Sequence, residues 1–208
     1  MDTERVHMLR QALSHSGWIE RTRDFAQSLR RVPEPGGLLL VGTPQEEPWH
    51  LAAHLGDEAR LTGLEQLRPT LVRWAPPVGA PAHLAVTMRR LEVASRRETV
   101  FVVAPDKSPD ELLERVSDAR KVGATVLSID SGDDELASLT HERLLVPRDA
   151  SEPLVTTTSV SGRIDIGLDI DAVTHLVSVA AGESESRFSF RDRLARLLEK
   201  VSGPAPSA

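Results

Sequence analysis

The chain alternates short unbroken apolar runs with longer stretches in which apolar residues recur every three to four positions. Residues 3–31 carry helical spacing through Val6, Leu9 and Leu13 and then Ile19, Phe25 and Leu29. His15-Ser16-Gly17 is a candidate break that would divide the segment into two helices, and "VPEPGG" at 32–37 is a stop and a turn. The spacing then predicts strands over 38–42, 70–74, 99–104, 124–130 and 143–147. Between them it predicts helices over 48–67, 82–95, 109–123 and 133–140, with a loop at 75–81. The strands are continuous apolar runs such as Leu38-Leu39-Leu40-Val41, the mark of a parallel sheet covered on both faces. Right-handed crossovers then give a doubly wound, three-layer αβα fold. Five strands with a leading helix fit a flavodoxin-like sheet of order 2-1-3-4-5, with extra helices at both ends of the chain. In that order a ligand crevice opens at the carboxyl ends of strands one and three.

The pattern changes after residue 147. Residues 148–163 are rich in hydroxyls, 164–182 begin with alternation and turn helical near Asp171, and 183–203 end in an amphipathic helix. Phe190, Leu194, Leu197, Leu198 and Val201 share one face of that last helix. The expected organisation is one domain over 1–203: a helical segment at 1–31, a core at 37–181, a helix at 187–202 and a tail at 204–208.

Composition narrows the classes. The chain has 208 residues, no cysteine and a formal net charge of −6. Disulfides and thiolate metal sites are thereby excluded, and an acidic balance argues against nucleic acid as the main partner. No run approaches a membrane span, and "MDTERVHMLRQ" lacks a signal-peptide core, so the expected location is cytoplasmic and no membrane partner is expected.

Candidate chemistry lies at the strand-to-helix turns. "TPQE" at 43–46 and "SPDE" at 108–111 share one pattern: a hydroxyl, a proline, a polar residue and a glutamate. Thr43 and Ser108 read as N-caps, Pro44 and Pro109 as first helical residues, and Glu46 and Glu111 as partners in capping boxes. Amides that would otherwise hold a phosphate are then expected to have internal acceptors. Thr156, Thr157, Thr158 and Ser159, with Ser161 and Arg163, are the remaining anion candidates; a polar loop or an edge strand accounts for the same residues. His50, His54 and Glu58 recur at four-residue spacing on one helix and are candidate zinc ligands, although the His-Glu-x-x-His pattern is absent. No Walker, dinucleotide or nucleophile-elbow motif occurs, so no cofactor is expected.

Three segments, "LLLVGTPQE", "VFVVAPDKSPDELLERVSDARKVGATVLSID" and "EPLVTTTSVS", resemble in order and pattern the sugar isomerase (SIS) domain, a family that binds phosphosugars. The resemblance implies ligand contacts at Gly42, Thr43, Ser108, Thr156, Thr157, Thr158 and Ser159, and acid–base roles for Glu152 and His175. It also implies a homodimer paired through helices. Here Ala104 and Asp106 stand at the family's two serine positions, Lys107 at its glycine and Ser159 at a common lysine. The resulting expectation is a non-catalytic domain with a degenerate ligand site that acts through self-association or a protein partner. A phosphosugar-binding protein or isomerase, and then a zinc-dependent hydrolase, are the alternatives.

Overall fold

The computed structural model describes residues 17–147 and 169–183, together with the backbone course of 155–159 and 162–166. The elements in chain order are α1 (Trp18–Arg30), β1 (Leu38–Gly42), α2 (Trp49–Thr62), β2 (Thr70–Val72), α3 (Arg89–Glu92), β3 (Thr99–Ala104), α4 (Asp110–Lys121), β4 (Thr125–Asp130), α5 (Asp134–Leu139), β5 (Glu142–Leu145), β6 (Val155–Ser159), β7 (Gly162–Ile166) and α6 (Ile170–Ala181). β1 to β5 form one parallel sheet, as the apolar runs predict, in the flavodoxin-like order β2-β1-β3-β4-β5. The candidate N-terminal helix before Gly17, Glu152 and the expected helix over 187–202 lie outside the described residues.

Alternate residues of each buried strand feed two separate cores, because strand side chains point to opposite faces. Leu38, Leu40, Phe101, Val103, Leu127 and Ile129 face α1, α2 and α6. Leu39, Val41, Val100, Val102 and Val126 face α3, α4 and α5. Phe25 of α1 packs on Phe101 of β3 at a ring-centroid distance of 5.5 Å, which ties the leading helix to the sheet centre. Arg30, at the last turn of α1, donates to the carbonyls of Ala180 and Ala181 and so caps the end of α6.

α4 follows its sequence closely. Asp110 and Glu111 sit in its first turn and Arg120 and Lys121 in its last, each sign matching the helix dipole. Leu112, Val116 and Ala119 are its buried face, and Gly123, at φ 96°, turns the chain into β4. Among the described residues no helix is long and apolar enough to cross a membrane.

Two expected helices come out shorter. The helix expected over 48–67 stops at Thr62, where Gly63 adopts φ 77°, and Glu65–Leu67 form a separate 3-10 turn. In place of a helix over 82–95 there is a 3-10 turn at Ala82–Leu84 and the single-turn α3. The reason is β2, a short edge strand whose backbone needs partners. Residues 85–87 supply them: Arg73 N–H donates to the Val86 carbonyl at 2.8 Å, and Arg73 bridges Thr87 in parallel. Within the hydroxyl-rich region β6 pairs antiparallel with β7.

Candidate functional site

Gly42, Val103 and, one strand further, Ala104 and Asp130 lie level at the carboxyl edge of the sheet. The loops that follow them form the rim where doubly wound folds bind ligands. Gly42 ends β1 with no room for a side chain: an added Cβ would lie 2.2 Å from the Glu46 carbonyl oxygen and 2.7 Å from Pro48 Cδ. The space above this glycine is therefore filled by the chain's own 43–48 loop. Thr43 is fully buried, and its hydroxyl has no hydrogen-bond partner among the described residues.

The capping boxes read from the sequence do not form. α2 begins at Trp49 after Pro48, with no side-chain cap, so Thr43 to Glu46 precede the helix and make a turn closed by Glu46 N–H to the Thr43 carbonyl at 3.2 Å. α4 begins after Pro109, also with no side-chain cap. Glu47 is instead drawn to the end of β2. Its carboxylate accepts from Arg73 Nε at 2.9 Å, from the Trp74 amide at 3.0 Å and from Trp49 Nε1 at 3.1 Å. Trp74 Nε1 in turn donates to the Gly42 carbonyl at 2.9 Å.

On the other side of β3, Ser108 is buried and its amide donates to Asp133 Oδ2 at 2.7 Å. Asp133 Oδ1 accepts from the Leu136 amide at 3.1 Å and so caps α5. Burial pushes the Asp133 carboxyl up, but the amides of Ser108, Leu136 and Glu135 outweigh it and hold the group below the ordinary aspartate value. The Ser108 hydroxyl faces the same carboxylate and assists, without reaching full hydrogen-bond geometry. Beneath lies Asp130, fully buried, accepting from Ser128 Oγ, the amides of Gly132 and Asp133, and the guanidinium of Arg143. Its own hydrogen bond to Asp130, with the nearby carboxylates, raises the Arg143 pKa above its ordinary value against the opposing effect of burial.

Between the β3 and β4 loops is an open cavity of about 430 Å³ lined by Asp106, Lys107, Gly132, Asp133, Asp134 and Glu135. Lys107 is paired with Glu135 at 3.3 Å. Its walls thus carry an excess of carboxylates, which disfavours a phosphate and favours a neutral or cationic occupant.

The remaining candidates separate. On α2, His50 is exposed while His54 and Glu58 are half-buried. His54 packs against His175 of α6 with ring centroids 3.9 Å apart. Among the described residues no group of three His, Asp or Glu side chains is arranged to hold a metal. Thr156 to Ser159 form β6, with Thr157 opposite Ile164 and Ser159 opposite Gly162. Sequence reading missed the Glu47–Arg73 and Asp130–Arg143 pairs. The available signal for the second was an acid closing a buried apolar run in "TVLSID", since a buried carboxylate demands a partner.

No protein-family model matches the chain, and no curated protein matches it. Among solved structures, a proposed phosphosugar isomerase from Silicibacter pomeroyi superposes with a TM-score of 0.53 at 16% identity, over 95% of this chain and 53% of that one. The sugar isomerase domain of an RpiR transcription factor from Sphaerobacter thermophilus gives 0.48 at 11% identity, over 92% and 96%. The NanR protein of Vibrio vulnificus, solved with ManNAc-6P, gives 0.41 at 16%, over 86% and 55%. This chain thus spans about half the length of the Silicibacter protein. The arrangement is a doubly wound α/β layer with its rim at the ends of β1, β3 and β4. Its fold is that of the sugar isomerase (SIS) domain.

Proposed function

We propose that this chain is a non-catalytic, cytoplasmic SIS-fold domain that acts by association with a second copy of itself or with a partner protein. One observation carries the reading: the Glu46 carbonyl and the Pro48 ring fill the space at Gly42 where a ligand would approach the strand end. The carboxylate-rich walls of the neighbouring cavity support it. The test joins two measurements on the intact protein. A thermal-shift panel of hexose, hexosamine and pentose phosphates is expected to be flat. Sedimentation at micromolar concentration is expected to give a dimer, or a monomer that a partner protein captures. A ligand at 100 times its dissociation constant would add about 2.7 kcal/mol, so a selective response would be plain and would overturn the reading.

A second reading, phosphosugar binding or isomerisation, draws support from the buried Thr43 hydroxyl, which has no hydrogen-bond partner among the described residues. It would use Gly42, Thr43, Ser108 and the 156–159 strand for the ligand and Glu152 and His175 for proton transfer. Under it, Thr43→Val and Ser108→Ala each weaken sugar-phosphate binding at least tenfold. Wild-type affinity in both variants would exclude these assignments.

A further inference from the structure

Three donors converge on the planar Glu47 carboxylate, two from the consecutive residues Arg73 and Trp74 after β2 and one from Trp49 at the start of α2. Arg73 Nε and the Trp49 indole reach Oε2 at 2.9 and 3.1 Å, and the Trp74 amide reaches Oε1 at 3.0 Å. The Arg73 guanidinium carbon lies 4.3 Å over the Trp49 ring, so the same tryptophan that donates to the carboxylate also fixes the cation. The Arg73 and Glu47 side chains are each only 13% exposed. A largely desolvated guanidinium held in place beside an oriented amide and an indole N–H is the donor set that recognises a carboxylate. It also stands at the carboxyl end of the sheet, next to the filled space at Gly42, because Trp74 donates to the Gly42 carbonyl.

We propose that Arg73, the Trp74 amide and Trp49 form a carboxylate-binding site in which Glu47 is an internal ligand, so that the 43–48 loop holds the rim closed against an external carboxylate. This rests on the reading that the chain's own loop fills the crevice, and it adds the chemistry the loop imitates. Removing the Glu47 side chain leaves the Arg73 guanidinium, the Trp74 amide and the Trp49 indole without their shared acceptor, a role that an external carboxylate can take.

The test is chemical rescue. Glu47→Ala is expected to be less stable than wild type. Formate or acetate at tens of millimolar should raise its Tm by several degrees and shift Trp49 and Trp74 fluorescence, while chloride at equal ionic strength does neither. Wild type should not respond over the same range, and Glu47→Ala/Arg73→Met should lose the response. A folded Glu47→Ala that responds to formate and acetate no more than wild type does overturns the proposal, as does an equal response in the double variant. If Glu47→Ala does not fold, Glu47→Gln keeps the shape and removes the charge. Its fluorescence should then respond to acetate over the range in which wild type does not, and a response no larger than wild type's overturns the proposal. A selective sugar-phosphate response in wild type would instead defeat the closed-crevice reading, so the two failures are distinct.

Discussion

Arg143 grips Asp130 with two hydrogen bonds, Nε to Oδ2 at 2.9 Å and Nη2 to Oδ1 at 2.6 Å, and joins β5 to the end of β4. Asp130 is fully buried, so removing the guanidinium leaves a carboxylate with only the Ser128 hydroxyl and two amides. Arg143→Met is expected to lower stability by about 3 kcal/mol, the usual cost of breaking a buried pair on one side. Arg143→Lys should recover only part of it, since an ammonium cannot reproduce the two-pronged fit. Urea denaturation checks both.

Gly42→Ala should be costly for its size. The new methyl meets the Glu46 carbonyl at 2.2 Å, and a backbone oxygen cannot rotate away as a side chain would. The expected loss is about 2 kcal/mol or more, in the range for overpacking. The loop must move, so Trp74, bonded to the Gly42 carbonyl, should change its fluorescence. Unchanged stability and emission would mean that the loop does not fill this space.

Asp133 should contribute an acid-sensitive part of the stability. Its folded-state pKa is lowered, although burial opposes this, because the amides of Ser108 and Leu136 favour the ionised form. The contribution is complete above the unfolded-state value of about 3.9 and is lost as pH falls through the lower folded-state value. Wild type should therefore exceed Asp133→Asn most at neutral pH, and the gap should shrink below pH about 4. Urea midpoints across pH 3–7 measure it, and a gap that widens in acid would contradict the assignment.

His141 extends the β4–β5 ladder with its side chain. The Val126 amide donates to its Nδ1 at 2.9 Å, while His141 N–H donates to the Val126 carbonyl at 2.8 Å. The imidazole proton must then sit on Nε2. His141→Leu should cost about 1 kcal/mol and speed hydrogen exchange at the Val126 amide, which loses its acceptor. Nitrogen NMR of the ring reports the tautomer directly.

The parallel strands and the helix at 110–121 could be read from the chain because they rest on short-range periodicity, and the strand order followed from the fit of five such strands and a leading helix to a flavodoxin-like arrangement. Leu38 to Gly42 and Thr99 to Ala104 are apolar throughout, and burial on both faces is the arrangement that accommodates such runs. The break-up of the 82–95 segment could not be read, because an edge strand's demand for backbone partners overrode local helix spacing. The capping pattern misled for a related reason. Four residues of "TPQE" meet the local rule, but the Glu46 carbonyl and Pro48 pack back on Gly42 and delay the helix to Trp49.

The sequence by itself determined the layers, the direction of the sheet and the rim on which any site must lie. Tertiary structure alone decided what occupies that rim. Glu47 and Arg73 lie 26 residues apart and Asp130 and Arg143 13 apart, and His54 meets His175 from a different helix. Charge, burial and hydrogen-bond geometry act between neighbours in space. Only the folded register of β1, β2, β4 and β5 and the packing of α2 on α6 make those residues neighbours, and so turn a strand-end glycine into a site filled from within.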